Sequence, residues 1–420
     1  MGTKILVREP RLIKEIKTVL EDGGVFDKSR RIQSHDGVSC LFSTGSLSEM
    51  RVLLKEYDTN KIDVVEDESE AVTRLVGLQG IVADVIGYDK SDLLETVPKK
   101  WSLYPPMVLF QGGSFSTPRW KQYFEENGRD KLFKHLSEKF FTGYTHYAVN
   151  QPIIETDVMR RPFNLVPLYG DFGPDPNEAR FEDPMPADFK EAFWCTVTQN
   201  GICQEWAPRY TMFSRGNITE KKRLLDSYTK LDGHNVVDLY GGIGYFTLSY
   251  LTNGATVFCW ELNPWSIEGL LRGLRKNGCK HTLIRVGEPF DVNIYQENVA
   301  NGVKAFVFHE SNEHSVERLF GLGLRISHYN LGLLPSSKQG WEVVKKLEEG
   351  TDSGCENAEE KRIARLIHVH ENVHKNDFSQ LSQELETFFG GTAVHLEKVK
   401  TFAPDVWHVV VDIKLKEMEV

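Results

Sequence analysis

A glycine-rich turn behind a short apolar segment constrains the fold of this 420-residue chain more than any other feature. Residues 235–240 are mostly apolar, and they are followed directly by Gly241-Gly242-Ile243-Gly244. Glycines at such a turn let the backbone approach a ligand where a Cβ would collide, and a helix start behind them directs amides toward polar ligand atoms. The spacing is GGxG and not GxGxxG, so the turn alone does not separate nucleoside-binding from dinucleotide-binding enzymes.

Strands and helices alternate from residue 218 onward, which is typical of a parallel sheet covered by helices. Residues 281–302 fit this alternation poorly, and we expect an insertion there. The pattern predicts five parallel strands and a terminal pair, and thus an α/β fold with a seven-stranded mixed sheet of the class I methyltransferase-like Rossmann type. After the first strand at 235–240, the predicted strands are 256–261, 304–309, 326–331, 363–370, 393–401 and 407–415.

Three further regions precede this C-terminal domain, which we place at 218–420. Residues 1–97 are predicted to form a small α/β domain without recognisable chemistry. Residues 98–130 are predicted to be a linker, because their first part holds three prolines and a glycine pair. Residues 131–217 are rich in aromatic residues and turns, so we expect a small β-rich middle domain that includes a hairpin over 194–202.

Charge and cysteine content limit the classes of function. The chain holds 50 Lys and Arg against 60 Asp and Glu, and its net charge of −10 argues against a general nucleic-acid coat but permits a local basic patch. The six cysteines form no CxxC pair and accompany no histidine cluster at zinc spacing, so we expect reduced thiols and no metal. No apolar run approaches the ~18 residues of a membrane helix, and we expect a soluble cytoplasmic protein without a membrane partner.

Polar residues at the ends of the predicted strands suggest a nucleoside site. Glu261 ends the second strand, where an acid can accept both hydroxyls of a ribose. Tyr240 and Gly241 belong to the glycine turn and are predicted to contact the same ligand. Ser311 and Asn312 end the third strand of the count, and both are candidates to bond the edge of an adenine. A helix cap is an equally open alternative for either of these two residues.

Several motifs together resemble one enzyme family, the tRNA wybutosine-synthesizing proteins of the second step, which are related to the tRNA guanine N1-methyltransferases. The resemblance extends over about 144–420, whereas residues 1–97 are similar only to the poorly shared extension of fungal members. The motifs that carry the resemblance are 212–221, 238–246, 261–264, 330–337 and the run His368-Val369-His370-Glu371-Asn372-Val373.

The resemblance implies a specific activity. Enzymes of this family transfer the 3-amino-3-carboxypropyl group of S-adenosyl-L-methionine to carbon C7 of 4-demethylwyosine, beside the anticodon of tRNA(Phe), and release methylthioadenosine. S-adenosyl-L-methionine is then a co-substrate, and no metal takes part. Two alternatives stay open: a tRNA guanine N1-methyltransferase of the same fold, and a non-catalytic RNA-binding module that retained the fold. We expect a monomer.

The resemblance also implies roles for cofactor-binding residues. Ser214 and Lys221 fall where the family contacts S-adenosyl-L-methionine, and a cation there could hold the carboxylate of the transferred chain. For Lys221 the alternative is a solvated basic stretch, shared with Lys222 and Arg223, that touches tRNA phosphate. Glu261 carries over as the ribose ligand, and the adenine-side contacts at 311–312 depart from the acid-amide pair that is common in the family.

Asn330 is the predicted catalytic residue. Base-amino methyltransferases end their fourth strand with Asn-Pro-Pro-aromatic, whereas here Leu331-Gly332-Leu333-Leu334 follows Asn330 and the proline is displaced to 335. That variant resembles the aminocarboxypropyl branch, and a simple strand end with a turn is the alternative. The predicted tRNA-binding residues are Arg160, Arg161 and Arg215. The sequence leaves the proton acceptor open, with water or one of His328, His368 and His370 as candidates.

Overall fold

The computed structural model describes residues 3–28, 30, 32–35, 37–67, 77–150, 165–351 and 364–416. The chain divides into two compact units. The first comprises Met1–Lys100 and Gly113–Gly143, and the second comprises Trp101–Gly112 and Tyr144–Val420. These units do not follow the predicted domain boundaries at 97, 130 and 217.

The first unit begins with a four-stranded antiparallel sheet in the order β2-β3-β1-β4. Alternate residues of β1 face a core, so that Ile5 and Val7 pack against Ile16 and Leu20 of the first helix. This part of the chain contains both strands and helices. Its elements are β1 (Thr3–Val7), α1 (Ile13–Asp22), β2 (Gln33–His35), β3 (Val38–Ser43), α2 (Leu47–Leu53) and β4 (Ile62–Glu66).

The segment predicted as a linker, 98–130, is not one, because it contains two strands and a helix. Pro105 and Pro106 occupy the turn between β5 (Trp101–Tyr104) and β6 (Met107–Phe110), and Pro118 stands at the start of a helix whose first amides are capped by Thr117. The prolines thus shape regular elements. The first unit also contains the helices α3 (Leu78–Ile86), α4 (Ser91–Leu94), α5 (Pro118–Asn127) and α6 (Asp130–Lys139), whereas β5 and β6 belong to the second unit.

The second unit opens with a four-stranded sheet in the order β5-β6-β7-β8 and a separate hairpin. The predicted hairpin is confirmed: its two strands pair Gln199 with Ile202 across Asn200-Gly201, which both have positive φ as the tight turn requires. The elements are β7 (His146–Val149), β8 (Val166–Tyr169), α7 (Glu178–Glu182), α8 (Pro186–Glu191), β9 (Cys195–Gln199) and β10 (Ile202–Trp206).

The largest element of the second unit is an eight-stranded mixed sheet in the order β13-β14-β12-β11-β15-β16-β18-β17. The predicted α/β class is confirmed, but the sheet has one strand more than expected, because β13 from the supposed insertion pairs in parallel with β14. Only β18 runs antiparallel to both neighbours. The strands are β11 (Asn235–Asp238), β12 (Thr256–Trp260), β13 (His281–Arg285), β14 (Ala305–His309), β15 (Ile326–Leu331), β16 (Leu366–His374), β17 (Thr392–Ala403) and β18 (Val406–Lys414).

Helices cover both faces of this sheet, since its strands are apolar on both sides. Val237, Phe258 and Phe306 face one core, while Val236 and Val257 face the other. The strand order reverses beside β11, which lies between β12 and β15, and ligands of open α/β sheets bind at such a switch point. The helices are α9 (Ile218–Ser227), α10 (Thr247–Thr252), α11 (Pro264–Lys276), α12 (Val292–Ala300), α13 (Ser315–Leu319), α14 (Trp341–Thr351) and α15 (Phe378–Phe389).

Candidate cofactor site at the carboxyl edge of the sheet

The glycine turn follows β11 at the switch point and is held against the next strand. The Gly241 amide donates to the carbonyl of Trp260 at 2.8 Å, which ties the turn to the end of β12. Gly244 has φ of 87°, and a Cβ there would stand 2.7 Å from Cδ1 of Leu270. Glycine is therefore required by backbone conformation and by packing, and the turn keeps a fixed shape.

Glu261, directly after β12, lies against this turn, and its predicted contact with a ribose stays a prediction. Its carboxylate accepts hydrogen bonds from the amides of Gly242 at 2.8 Å, Leu262 at 2.9 Å and Asn263 at 2.8 Å. Burial raises the pKa of Glu261, and the three amides partly offset that rise. A carboxylate fixed in this way still has acceptor capacity for a ligand hydroxyl, because its two oxygens offer about four lone pairs.

The residues after β14 reach the same edge. Asn312 Nδ2 donates to the carbonyl of Leu239 at 3.0 Å, and so connects this loop to the strand before the glycine turn. Ser311 Oγ accepts from the amide of Glu313 at 3.4 Å and caps a short 3₁₀ turn. The capping alternative is thus realised for Ser311, while contact of either residue with adenine stays a prediction.

Asn330 is fully buried at the end of β15 and faces Asp238 of β11. Its Nδ2 donates to Asp238 Oδ1 at 3.0 Å, and Thr247 Oγ1 donates to Asp238 Oδ2 at 2.7 Å. Burial raises the pKa of Asp238, and these donors act in the opposite direction. Asn330 thereby holds the strand that carries the glycine turn, and its catalytic role stays a prediction. Sequence reasoning missed Asp238, although an acid at the end of a buried strand was a usable signal.

Lys221 of α9 is buried, with 3% of its surface exposed. Its Nζ donates to Gln199 Oε1 at 3.1 Å and to Gln204 Oε1 at 2.9 Å, and it lies 4.9 Å from the ring centres of Phe213 and Tyr245. It forms no ion pair with a carboxylate in the part of the chain that the structure describes, and burial lowers its pKa to about 7. A solvated phosphate contact is therefore excluded for this lysine.

The neighbours of Lys221 behave differently from it. Lys222 is exposed and pairs with Asp226 at 2.7 Å. Arg223 points inward, where it donates to Glu220 at 2.7 Å and to Asp412 at 2.6 Å. The three-residue basic stretch thus divides into the buried Lys221, the exposed Lys222 and the half-buried Arg223.

Tyr245 joins the Ser214 loop to the glycine turn. The Ser214 amide donates to Tyr245 Oη at 3.1 Å, and that hydroxyl donates to the carbonyl of Met212. Ser214 and Lys221 therefore both contact Tyr245, Ser214 at the hydroxyl and Lys221 near the ring, while their contact with a cofactor stays a prediction. Arg215 is exposed, with one long contact to Ser102 Oγ at 3.4 Å, whereas Arg160 and Arg161 fall outside the described residues.

The candidate histidines lie in buried hydrogen-bonded chains. His368 shares a hydrogen bond of 2.7 Å with Asp412 and one of 2.9 Å with His328. His370 is paired with His408 at 3.0 Å. Burial lowers the pKa of both His328 and His370 well below the ordinary value. Each of the three candidates thus already bonds to a protein side chain, and the structure does not single out one of them as the proton acceptor.

Two features of the described residues bear on metals and membranes. No group of three or more His, Cys, Asp and Glu side chains there is arranged to hold a metal ion. Likewise, none of the helices formed by these residues has the length and apolar character needed to cross a bilayer.

Comparison with known proteins places this site in a family. Residues 196–306 match a profile described as the TRM5/TYW2 methyltransferase domain. The chain is 36% identical, over an alignment of 487 residues, to tRNA wybutosine-synthesizing protein 2 of Saccharomyces cerevisiae, with 98% of each chain covered.

Two solved structures share the fold. TYW2 of Pyrococcus horikoshii, solved in complex with MeSAdo, has a TM-score of 0.53 at 16% identity, and 81% of this chain and 100% of that chain are covered. Trm5b of Pyrococcus abyssi has a TM-score of 0.55 at 14% identity, with 99% of each chain covered. Because the 36% identity to the yeast protein extends over 98% of both chains, this chain belongs to the tRNA wybutosine-synthesizing protein 2 family.

Proposed function

We propose that this chain transfers the 3-amino-3-carboxypropyl group of S-adenosyl-L-methionine to carbon C7 of 4-demethylwyosine in tRNA, with release of methylthioadenosine. The observation that carries the proposal is the 36% identity to a wybutosine-synthesizing protein over 98% of both chains. The geometry supports it, because Glu261 bonds to the glycine turn at the switch point, and Lys221 lies 4.9 Å from the ring centre of Tyr245, which directly follows that turn.

The residues at this edge fit S-adenosyl-L-methionine as a co-substrate. Glu261 offers a fixed carboxylate for the ribose hydroxyls, next to the closely approachable backbone of Gly241 and Gly242. Ser311 and Asn312 stand beside that turn, where adenine contacts would arise, and Tyr240 belongs to the turn itself. The buried Lys221 ammonium supplies a positive charge that can pair with the carboxylate of the transferred chain.

The reaction needs little covalent chemistry from the protein. A bond forms between C7 and the γ-carbon of the transferred chain, and the carbon–sulfur bond breaks with its electron pair going to sulfur. The proton on C7 then leaves, and its bonding pair returns to the ring. The protein contributes by aligning the two carbons with the sulfur and by excluding water. We propose that Asn330, at the edge where β11 and β15 meet, helps to position the base.

A tRNA guanine N1-methyltransferase is the second candidate. The specific observation in its favour is the TM-score of 0.55 to Trm5b over 99% of both chains, since the fold alone serves both reactions. A non-catalytic RNA-binding module is the third. The three candidates differ in the group that moves from the sulfonium to the tRNA: the aminocarboxypropyl chain, the methyl group or no group.

Two labelled co-substrates test the proposal. One carries its label in the carboxyl carbon of S-adenosyl-L-methionine and the other in the methyl group, and each is mixed with tRNA that bears 4-demethylwyosine. Incorporation from the carboxyl label alone supports the proposal, whereas incorporation from the methyl label alone contradicts it. Absence of transfer from either label, despite tight tRNA binding, would favour the RNA-binding module.

We also propose tRNA(Phe) as the specific partner, a monomeric state and a cytoplasmic location. A net charge of −10 means that tRNA must be held by local positive groups, of which exposed Arg215 is one candidate. Arg160 and Arg161 are proposed tRNA contacts on sequence grounds alone. Salt-dependent tRNA binding by the Arg215→Ala variant tests the first of these contacts, because loss of one phosphate contact reduces the salt slope by about 1.

A further inference from the structure

Gln204 carries a buried hydrogen-bond donor that the described residues leave unsatisfied. Only 2% of this residue is exposed, and its Nε2 has no hydrogen-bond partner there. Its Oε1 accepts from Lys221 Nζ at 2.9 Å. When Lys221 is protonated its ammonium can only donate, so the amide oxygen faces Lys221 and the amide nitrogen points away from it. A buried amide N–H group without an acceptor costs free energy, so a missing partner is indicated.

This donor lies at the cofactor site. Gln204 is in β10, where it shares a face with Ile202 and Trp206. Trp206 packs in one cluster with Phe213 and with Ile243 of the glycine turn. Gln204 is thus linked to the glycine turn through its strand neighbour Trp206, and to Tyr245 through Lys221, which lies 4.9 Å from the centre of that ring.

Lys221 presents a second donor of the same kind. Two of its three N–H groups are used by Gln199 and Gln204, and the aromatic rings of Phe213 and Tyr245 lie beside the ammonium. Neither glutamine neutralises the charge. The ammonium, with one N–H group beyond these two hydrogen bonds, and the amide NH₂ group of Gln204 are suited to a ligand with two acceptor oxygens and one negative charge, which describes a carboxylate.

We propose that Gln204 Nε2 joins Lys221, whose contact with the carboxylate is part of the proposed function, in binding the carboxylate of the aminocarboxypropyl chain, and that Gln204 distinguishes the intact co-substrate from methylthioadenosine. The inference rests on the proposed function for the identity of the donor molecule. Methylthioadenosine keeps the adenosine part but has lost the carboxylate, so it forgoes both contacts. Transfer of the chain thereby weakens the hold on the spent nucleoside, which favours its release.

Ligand pairs that differ only in this chain provide the test. Dissociation constants for S-adenosyl-L-methionine, S-adenosylhomocysteine and methylthioadenosine are measured by calorimetry with the full chain and the Gln204→Met variant, which keeps the shape and removes both donors. We expect binding of the two chain-bearing ligands to weaken roughly 10- to 100-fold, as for one hydrogen bond to a charged group. Methylthioadenosine binding should change less than about 3-fold, which also shows that the variant is folded.

Gln199→Met is the matched control. Gln199 also accepts from Lys221, but it is partly exposed and its amide nitrogen is not among the unsatisfied groups. Its substitution should affect all three ligands equally and weakly. A second variant, Gln204→Glu, places a carboxylate beside Lys221 and should weaken the chain-bearing ligands further while it spares methylthioadenosine. Equal weakening of all three ligands in Gln204→Met, or no weakening, would overturn the proposal.

The outcome is independent of the reaction catalysed. Binding is measured without tRNA, so a methyl label entering tRNA would refute the proposed function while a selective loss in Gln204→Met would still support the carboxylate site. Conversely, an unselective result would refute the carboxylate site even where the carboxyl label enters tRNA.

Discussion

Binding of S-adenosyl-L-methionine should take up a proton, because Lys221 is buried and has no counter-ion among the described residues until a carboxylate arrives. Burial lowers the pKa of this lysine to about 7, so at pH 8 only about one tenth of it is protonated before binding. A ligand carboxylate favours the charged form and returns the pKa toward its ordinary range near 10. Binding at pH 8 should therefore take up about 0.9 proton, and at pH 6 only about 0.1.

Calorimetric titrations in two buffers of different ionisation enthalpy measure this uptake, since the difference in observed heat gives the number of protons. The amino group of the ligand can also titrate, so the Lys221→Arg variant, which stays charged at every relevant pH, supplies the value to subtract. Methylthioadenosine, which lacks the carboxylate, should give no uptake. Uptake that is equal for both ligands, or that is as large in Lys221→Arg as in the wild type, would refute the assignment of Lys221.

Three further outcomes follow from the geometry. Glu261→Gln should raise the dissociation constants of S-adenosyl-L-methionine and methylthioadenosine by a similar factor, roughly 10-fold, because both ligands carry the ribose; unchanged titrations would remove Glu261 from the site. Gly244→Ala should lower the free energy of unfolding by about 1–3 kcal/mol in urea titrations. Gly278 also has positive φ, but an added Cβ there would have nothing within 4 Å, so Gly278→Ala should lower the free energy of unfolding by less. Equal losses in the two variants would refute the predicted clash at Gly244. Asp412→Asn should destabilise the fold by about 3–5 kcal/mol near pH 7, since it breaks a buried ion pair.

The pH dependence of that last effect has a definite sign. Burial alone would raise the pKa of Asp412, but His368 and Arg223 together lower it below its ordinary value. A carboxyl group with a lowered pKa in the folded state stabilises the fold above its unfolded pKa of about 3.9, and this contribution is lost as the pH falls below that value. Acid unfolding followed by circular dichroism should therefore bring the wild type and Asp412→Asn closer together below about pH 4. A constant difference between them would contradict this account.

Residues of the site that directly follow a strand could be predicted from the sequence. The glycine turn comes immediately after a strand, and Glu261 ends the next one, so their meeting at one edge follows from parallel pairing alone. The extra strand at His281–Arg285 was missed because it is short and lies at the sheet edge, where only Ile284 is buried. The prolines of 98–130 were interpreted as a break in regular secondary structure. In the structure they occupy a turn between two strands and the first position of a helix, where proline is compatible with regular structure.

The environment of Lys221 could not be predicted in the same way. Gln199 and Gln204 come from a hairpin that precedes α9 in the chain, and their convergence on the ammonium depends on how that hairpin packs over the glycine turn. A basic run such as Lys221-Lys222-Arg223 gives no sign of which member is buried. Packing decides that, because a helix turns each successive residue by about 100°.

The most direct measurement of the central claim is the identity of the nucleoside released when the chain reacts with tRNA that bears 4-demethylwyosine. Chromatography with mass detection separates methylthioadenosine from S-adenosylhomocysteine. Transfer of the aminocarboxypropyl group predicts methylthioadenosine in an amount equal to the modified tRNA. Formation of S-adenosylhomocysteine in that amount would mean that the methyl group had moved, and would contradict the account.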